Sequence, residues 1–119
     1  MLVLLLAVPW LAQGQTVEKG EWLEGMKTIV PTFFCGEEQY FWQCFEVTFE
    51  ECEEAAASAT RVCINDKAEQ IPDVLQMPRD GEYWGSQIGQ CAGVGYEARL
   101  RDRRINDPVC NNPRNWGAR

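Results

Sequence analysis

The chain contains no histidine, only two serines (Ser58 and Ser86) and no Cys-x-x-Cys pair. The missing histidine excludes imidazole metal sites, Ser–His and Cys–His nucleophile pairs, and the commonest general base at neutral pH. Neither serine lies in a nucleophile elbow or an S-x-x-K motif. Without Cys-x-x-Cys there is neither a thioredoxin-type redox pair nor a common zinc spacing. Phosphate loops are missing too, because the only regular glycine pattern lacks the Lys and Ser/Thr that a P-loop needs. Paired carboxylates exist (Glu37/Glu38, Glu50/Glu51, Glu53/Glu54) but fit solvated helix starts. No role on an active-site checklist is filled, so the expectation is a protein that is not an enzyme and uses no cofactor or metal. A small hydrolase working through a carboxylate pair is the weakest alternative.

Long apolar runs are scarce. The one at the start, "MLVLLLAVPWLAQG", is too short to span a bilayer and suits the h-region of a secretory signal. Ala12 and Gly14 are small residues where a signal peptidase reads, which places cleavage before Gln15. No Lys or Arg precedes the run, an irregular feature for a signal. The expected organisation is a signal peptide over residues 1–14 and a single domain over 15–119, with no membrane span in the mature chain. Six cysteines (Cys35, Cys44, Cys52, Cys63, Cys91, Cys110) fit an oxidising compartment and three disulfides.

What is present reads as helix. Residues 18–30 carry Trp22, Leu23, Met26, Ile29 and Val30 at helical spacing until Pro31 interrupts them. An aromatic-rich stretch follows, with a turn and a short helix. "TFEE" at 48–51 is a capping box opening a helix to about Gln70. A second long helix is expected from about Glu82 to Arg104, and an Asn/Pro-rich tail ends the chain. "GEYWGSQIGQCAGVGY" has glycines four apart at Gly81, Gly85, Gly89 and Gly93, although each weakens a helix by about 1 kcal/mol. An antiparallel hairpin centred on Met77 accommodates this: Cys63 then faces Cys91, Ala59 faces Gly95, Ala56 faces Ala98 and Cys52 faces Asp102. The small seam lets backbones come close enough for a Cys63–Cys91 bridge. The same register sets Glu50, Glu51 and Glu53 opposite Arg104, Arg103 and Arg101, acids in a first turn against arginines in a last turn. Gly85 and Gly89 are left for close contact with the first helix or the aromatic segment. The predicted fold is an all-α, disulfide-bridged domain built on this hairpin (about 49–70 and 82–104). With Cys63 and Cys91 paired, three arrangements of the other four cysteines stay open, and Cys52–Cys110 with Cys35–Cys44 is preferred.

Net charge is −7. Residues 18–54 hold ten acids and two lysines, net −8, and residues 97–119 hold six arginines and three acids, net +3. Much of this asymmetry resolves within the hairpin, and no basic face tracks a nucleic-acid backbone. The aromatic cluster, Phe33 to Phe49, is read mainly as core. Glu37, Glu38, Tyr40, Trp42 and Glu46 form the candidate interaction patch, aromatic anchors rimmed by charge.

The run "QCFEVTFEEC", with "SATRVC", "WGSQIGQCAG" and "CNNPRNW", resembles small exported cysteine-rich proteins of Gram-negative bacteria with no assigned function. The resemblance implies periplasmic or extracellular placement and a common bridge framework, and supplies no catalytic residue. The expected function is a non-enzymatic protein-binding module of inhibitor or immunity type. The alternative is a structural or stress-resistance envelope component without a dedicated partner.

Overall fold

The computed structural model describes residues 15–115. The expected signal peptide therefore lies outside the described residues. Among those residues four α-helices and one two-stranded sheet form: β1 (Thr16–Glu18), α1 (Lys19–Phe34), α2 (Tyr40–Gln43), α3 (Phe49–Lys67), β2 (Val74–Gln76) and α4 (Arg79–Arg99). The all-α expectation holds apart from that sheet.

α3 is the central element. Its start is set by the capping box: Glu51 N–H donates to Thr48 Oγ1 (3.0 Å) and Thr48 N–H donates to Glu51 Oε1 (2.9 Å). Its buried face is Cys52, Ala55, Ala56, Ala59, Thr60, Cys63 and Ile64, almost all small, and both α1 and α4 pack on it. α1 runs antiparallel to α3. Lys19 Nζ donates to the carbonyls of Ala68 and Ile71 just beyond the end of α3, while Cys35 at the end of α1 is bridged to Cys52 in the first turns of α3. α4 is also antiparallel to α3, through Cys63–Cys91 and through Ala59, whose Cβ would lie 3.1 Å from one built on Gly95. Hence α1 and α4 run parallel to each other. β1 and β2, with Val17 opposite a fully buried Leu75, tie their N-terminal ends together.

Several expectations are corrected. Pro31 does not end the first helix, which continues to Phe34. A proline this near the C-terminus loses one backbone hydrogen bond, and the extra turn buries Phe34 in the core. α4 begins earlier, at Arg79, and stops at Arg99, where a 3₁₀ turn over Arg101–Arg103 replaces it. The seam therefore ends early: Ala98 and Asp102 are exposed and do not face Ala56 and Cys52. Of the three acid–arginine pairs, Arg103 Nη2 meets Glu51 Oε1 at 2.7 Å, while Arg104 turns to Tyr40 and the carbonyl of Cys110. No pair between Glu53 and Arg101 forms among the described residues.

The disulfides are Cys35–Cys52, Cys44–Cys110 and Cys63–Cys91, with Cα separations of 6.0, 5.6 and 5.9 Å. The preferred Cys52–Cys110 and Cys35–Cys44 links are thus replaced by Cys35–Cys52 and Cys44–Cys110. Cys52 is on the α1 side of α3, so it meets Cys35. Residues 44–46 pair with 103–105 (Ile105 N–H to Cys44 O, 2.9 Å; Glu46 N–H to Arg103 O, 2.8 Å), which carries Cys110 to Cys44.

The core is largely aromatic at this end. Tyr96 is fully buried, edge-on to Phe34, Phe41 and Phe45, with Phe41 stacked on Phe34 at 4.0 Å. Its hydroxyl donates to Phe41 O (2.7 Å) and lies 3.2 Å from Cys52 Sγ. Burial pushes its pKa up to about 12.

Candidate functional site

α1 and α4 both rest on α3, and a groove of about 1320 Å³ opens between them. Helical periodicity explains its walls. Met26 and Val30 are buried in the groove lining, whereas Ile29 and Phe33, four apart on the neighbouring face of α1, are 59% and 43% exposed. Opposite them α4 presents Gly85, Gly89 and Gly93, then Val94, 73% exposed. Phe34, Phe41 and Phe45 close the groove towards the aromatic core. The glycines differ in their surroundings. Gly85 lies against Met26 and Trp22, as the close-contact reading expects, and Gly93, which that reading did not include, lies against the Phe41 ring. A Cβ on Gly89 would meet nothing within 4 Å among the described residues, so this glycine widens the groove instead.

The far end is polar, with Glu97, Arg101 and Arg104. Arg104 is fixed: Nε donates to the Tyr40 hydroxyl (2.8 Å), Nη2 to Cys110 O (2.7 Å) and Nη1 to Ile105 O and Asn111 Oδ1, with its guanidinium 5.5 Å from the Tyr40 ring centroid. Burial, and the nearby Glu97 carboxylate, raise the Tyr40 pKa above its ordinary value. Arg101 is exposed, and its side chain makes no ion pair or hydrogen bond among the described residues.

The family model described as T2SS substrate NttA matches residues 16–104, well over half of the chain. The chain belongs to this family. It is therefore a secreted, disulfide-bridged, mostly helical protein of a type II secretion substrate family. The matched stretch contains both walls of the groove and stops before Cys110. Comparison with curated proteins and with solved structures found no match.

The sequence-predicted patch is only partly assembled. Glu37, Glu38 and Glu46 are exposed. Tyr40 is 3% exposed and held by Arg104, so its ring offers no contact surface. Trp42 is half-buried, its ring edge-on to Phe49, which is 54% exposed and takes the outer position instead. Sequence reading missed the groove, although Ile29/Phe33 and Gly85/Gly89/Gly93 carry its signal as an apolar pair and a small stripe at one-turn spacing. Among the described residues no three His, Cys, Asp or Glu side chains gather to hold a metal, and no helix is long and apolar enough to cross a membrane. Among the described residues the groove lining holds one carboxylate, Glu97.

Proposed function

We propose that this secreted protein works outside the cell as a non-enzymatic binding protein whose working surface is the groove between α1 and α4, with another protein as its partner. The observation that carries this reading is the exposure of Ile29, Phe33 and Val94 around one trough. Clustered apolar side chains left in water on a small, bridged domain mark an interaction site. The lone carboxylate in the lining supports a role without catalysis, because a hydrolase of the type considered needs two converging acids. Inhibitor- or immunity-type action is one form this binding takes. The burial of Tyr40 favours the second reading, a structural or stress-resistance component without a partner.

The test is capture from a secretome by the oxidised protein, alongside a Phe33→Asp/Val94→Asp variant whose thermal melt shows it folded. The groove reading expects a defined protein retained by the first and lost from the second. Identical retention by both, or none by either, would refute it.

A further inference from the structure

Resting on that reading, we infer that the groove's occupant is an amphipathic α-helix of the partner protein, lying antiparallel to α1 and α4 with acidic residues in its first turn against Arg101.

The walls exclude an added strand. Both are helices whose backbone groups are already paired internally, so the groove offers no edge for strand addition. Its length also suits a helix: from Gly85 to Ala98, α4 extends about 20 Å, close to four helical turns. Gly85, Gly89 and Gly93 recur at the spacing of the i±4 ridge of a helix surface. At Gly89 the wall has no side chain and, among the described residues, nothing within 4 Å of a Cβ built there, so a large apolar residue of the incoming helix finds room there. Ile29 and Phe33 provide the opposing ridge at the same spacing. α1, α3 and α4 thus leave one position of a four-helix arrangement open.

Charge fixes the direction. α1 and α4 are parallel and both have their C-terminal ends towards Arg101. An antiparallel helix brings its positive N-terminal end to the negative ends of both walls. Its first turn is where acidic side chains are favoured, and they meet Arg101. The opposite direction sets two like dipole ends together and brings the turn that favours Lys and Arg to that arginine. Glu97 does not cancel this attraction, since it sits beside the Tyr40 hydroxyl and Arg104 is close by.

The experiment uses isotope-labelled, fully oxidised protein and a panel of synthetic sixteen-residue (about four-turn) helical peptides. These carry leucine at i, i+3, i+4 and i+7 in different registers, with Glu either in the first turn or, at equal composition, in the last. Laurate is titrated in parallel. The expected result is amide shifts along Ile29–Phe33 and Gly85–Ala98, with acid-first peptides binding at least about tenfold tighter than acid-last ones. Gly89→Leu, checked by its melt and intact bridges, should abolish this binding, and Arg101→Glu should remove or invert the preference. Equal affinity for the two charge orders overturns the assignment, as does binding that Gly89→Leu leaves intact. Laurate shifting the groove amides while no peptide does so overturns the helix and leaves the groove as a binding surface. If no probe shifts them and the Asp variants still retain the secretome partner, the groove reading falls as well.

Discussion

Gly89 and Gly95 stand six residues apart in one helix and have opposite reasons to be glycine. Gly95 is favoured by contact, because a Cβ there would sit 3.1 Å from that of Ala59 on the bridged seam. Gly89 has no such constraint. Gly89→Ala should therefore stabilise the fold by roughly 0.5–1 kcal/mol, the helical cost of glycine recovered. Gly95→Ala should gain less or lose, because α3 must shift to admit the methyl. Paired thermal melts check this, and equal effects would show that the seam is looser than described. Tyr96 gives a second prediction. Its folded pKa, about 12, is above the ordinary tyrosine value near 10. A raised folded value means stability fully present below about pH 10 and lost as pH climbs towards about 12. Tyr96→Phe should weaken the neutral-pH fold by about 1 kcal/mol through loss of the bond to Phe41 O, and should flatten the alkaline decline. At this scale the sequence was partly legible: small residues on one helical face announced close packing, but which glycine had a neighbour depended on the positions of Phe41 and Met26.

The elements were legible where the signal was local. Thr48 and Glu51 form a capping box four residues long, and α3 starts where those residues place it. The same box makes an acid-side prediction. The Thr48 backbone N–H, and then Arg103, hold the Glu51 carboxyl below its ordinary value. A depressed folded pKa gives stability that is present above the usual carboxylate range and disappears as pH falls through the folded value. Glu51→Gln should therefore reduce the loss of melting temperature below about pH 4.5. An unchanged acid slope in that variant would assign the loss to other carboxylates. Helix ends and bridges were less legible because they depend on chain segments distant in sequence. Pro31 was read from its own ring, whereas the burial of Phe34 decided that α1 continues. Cys44 and Cys110 meet because residues 44–46 and 103–105 pair, which no spacing between cysteines encodes. This bridge closes the longest loop, with a separation of 66 residues, against 17 and 28 for the others. Removing it as Cys44→Ala/Cys110→Ala should cost about 4 kcal/mol, and deleting Cys35 and Cys52 together about 3. Denaturant titrations of the two double variants, with peptide mapping of the remaining bridges, test that order.

At the scale of the molecule, the hairpin register was visible because it joins two helices that touch. The groove was not, because it is a space between two helices, α1 and α4, that are each held to a third. Periodicity identifies a face that avoids water, and on α1 it includes Ile29 and Phe33 along with Met26 and Val30. It cannot tell which part of that face finds a partner inside the chain. The answer depends on the angle at which α1 rests on α3, set by Cys35–Cys52 at one end and by Lys19 on the Ala68 and Ile71 carbonyls at the other. Ile29 is thus mostly outside the packing and Phe33 only partly inside it, edge-on to Phe34, although both follow the same pattern as the core. A direct consequence can be measured without any partner. Val94→Asp removes a side chain that is 73% exposed and should shift stability by no more than about 0.5 kcal/mol, whereas Phe33→Asp removes a ring that is 43% exposed and edge-on to Phe34 and should cost about 1 kcal/mol. The same changes should suppress the fluorescence of an apolar reporter dye, which gains its signal from clustered exposed hydrophobic surface. Ile64→Asp, on the buried face of α3, should do the reverse, unfolding the domain and raising dye binding. If Phe33→Asp instead destabilised the protein as a core substitution does, that ring would be structural, and the wall it lends to the groove would be part of the fold.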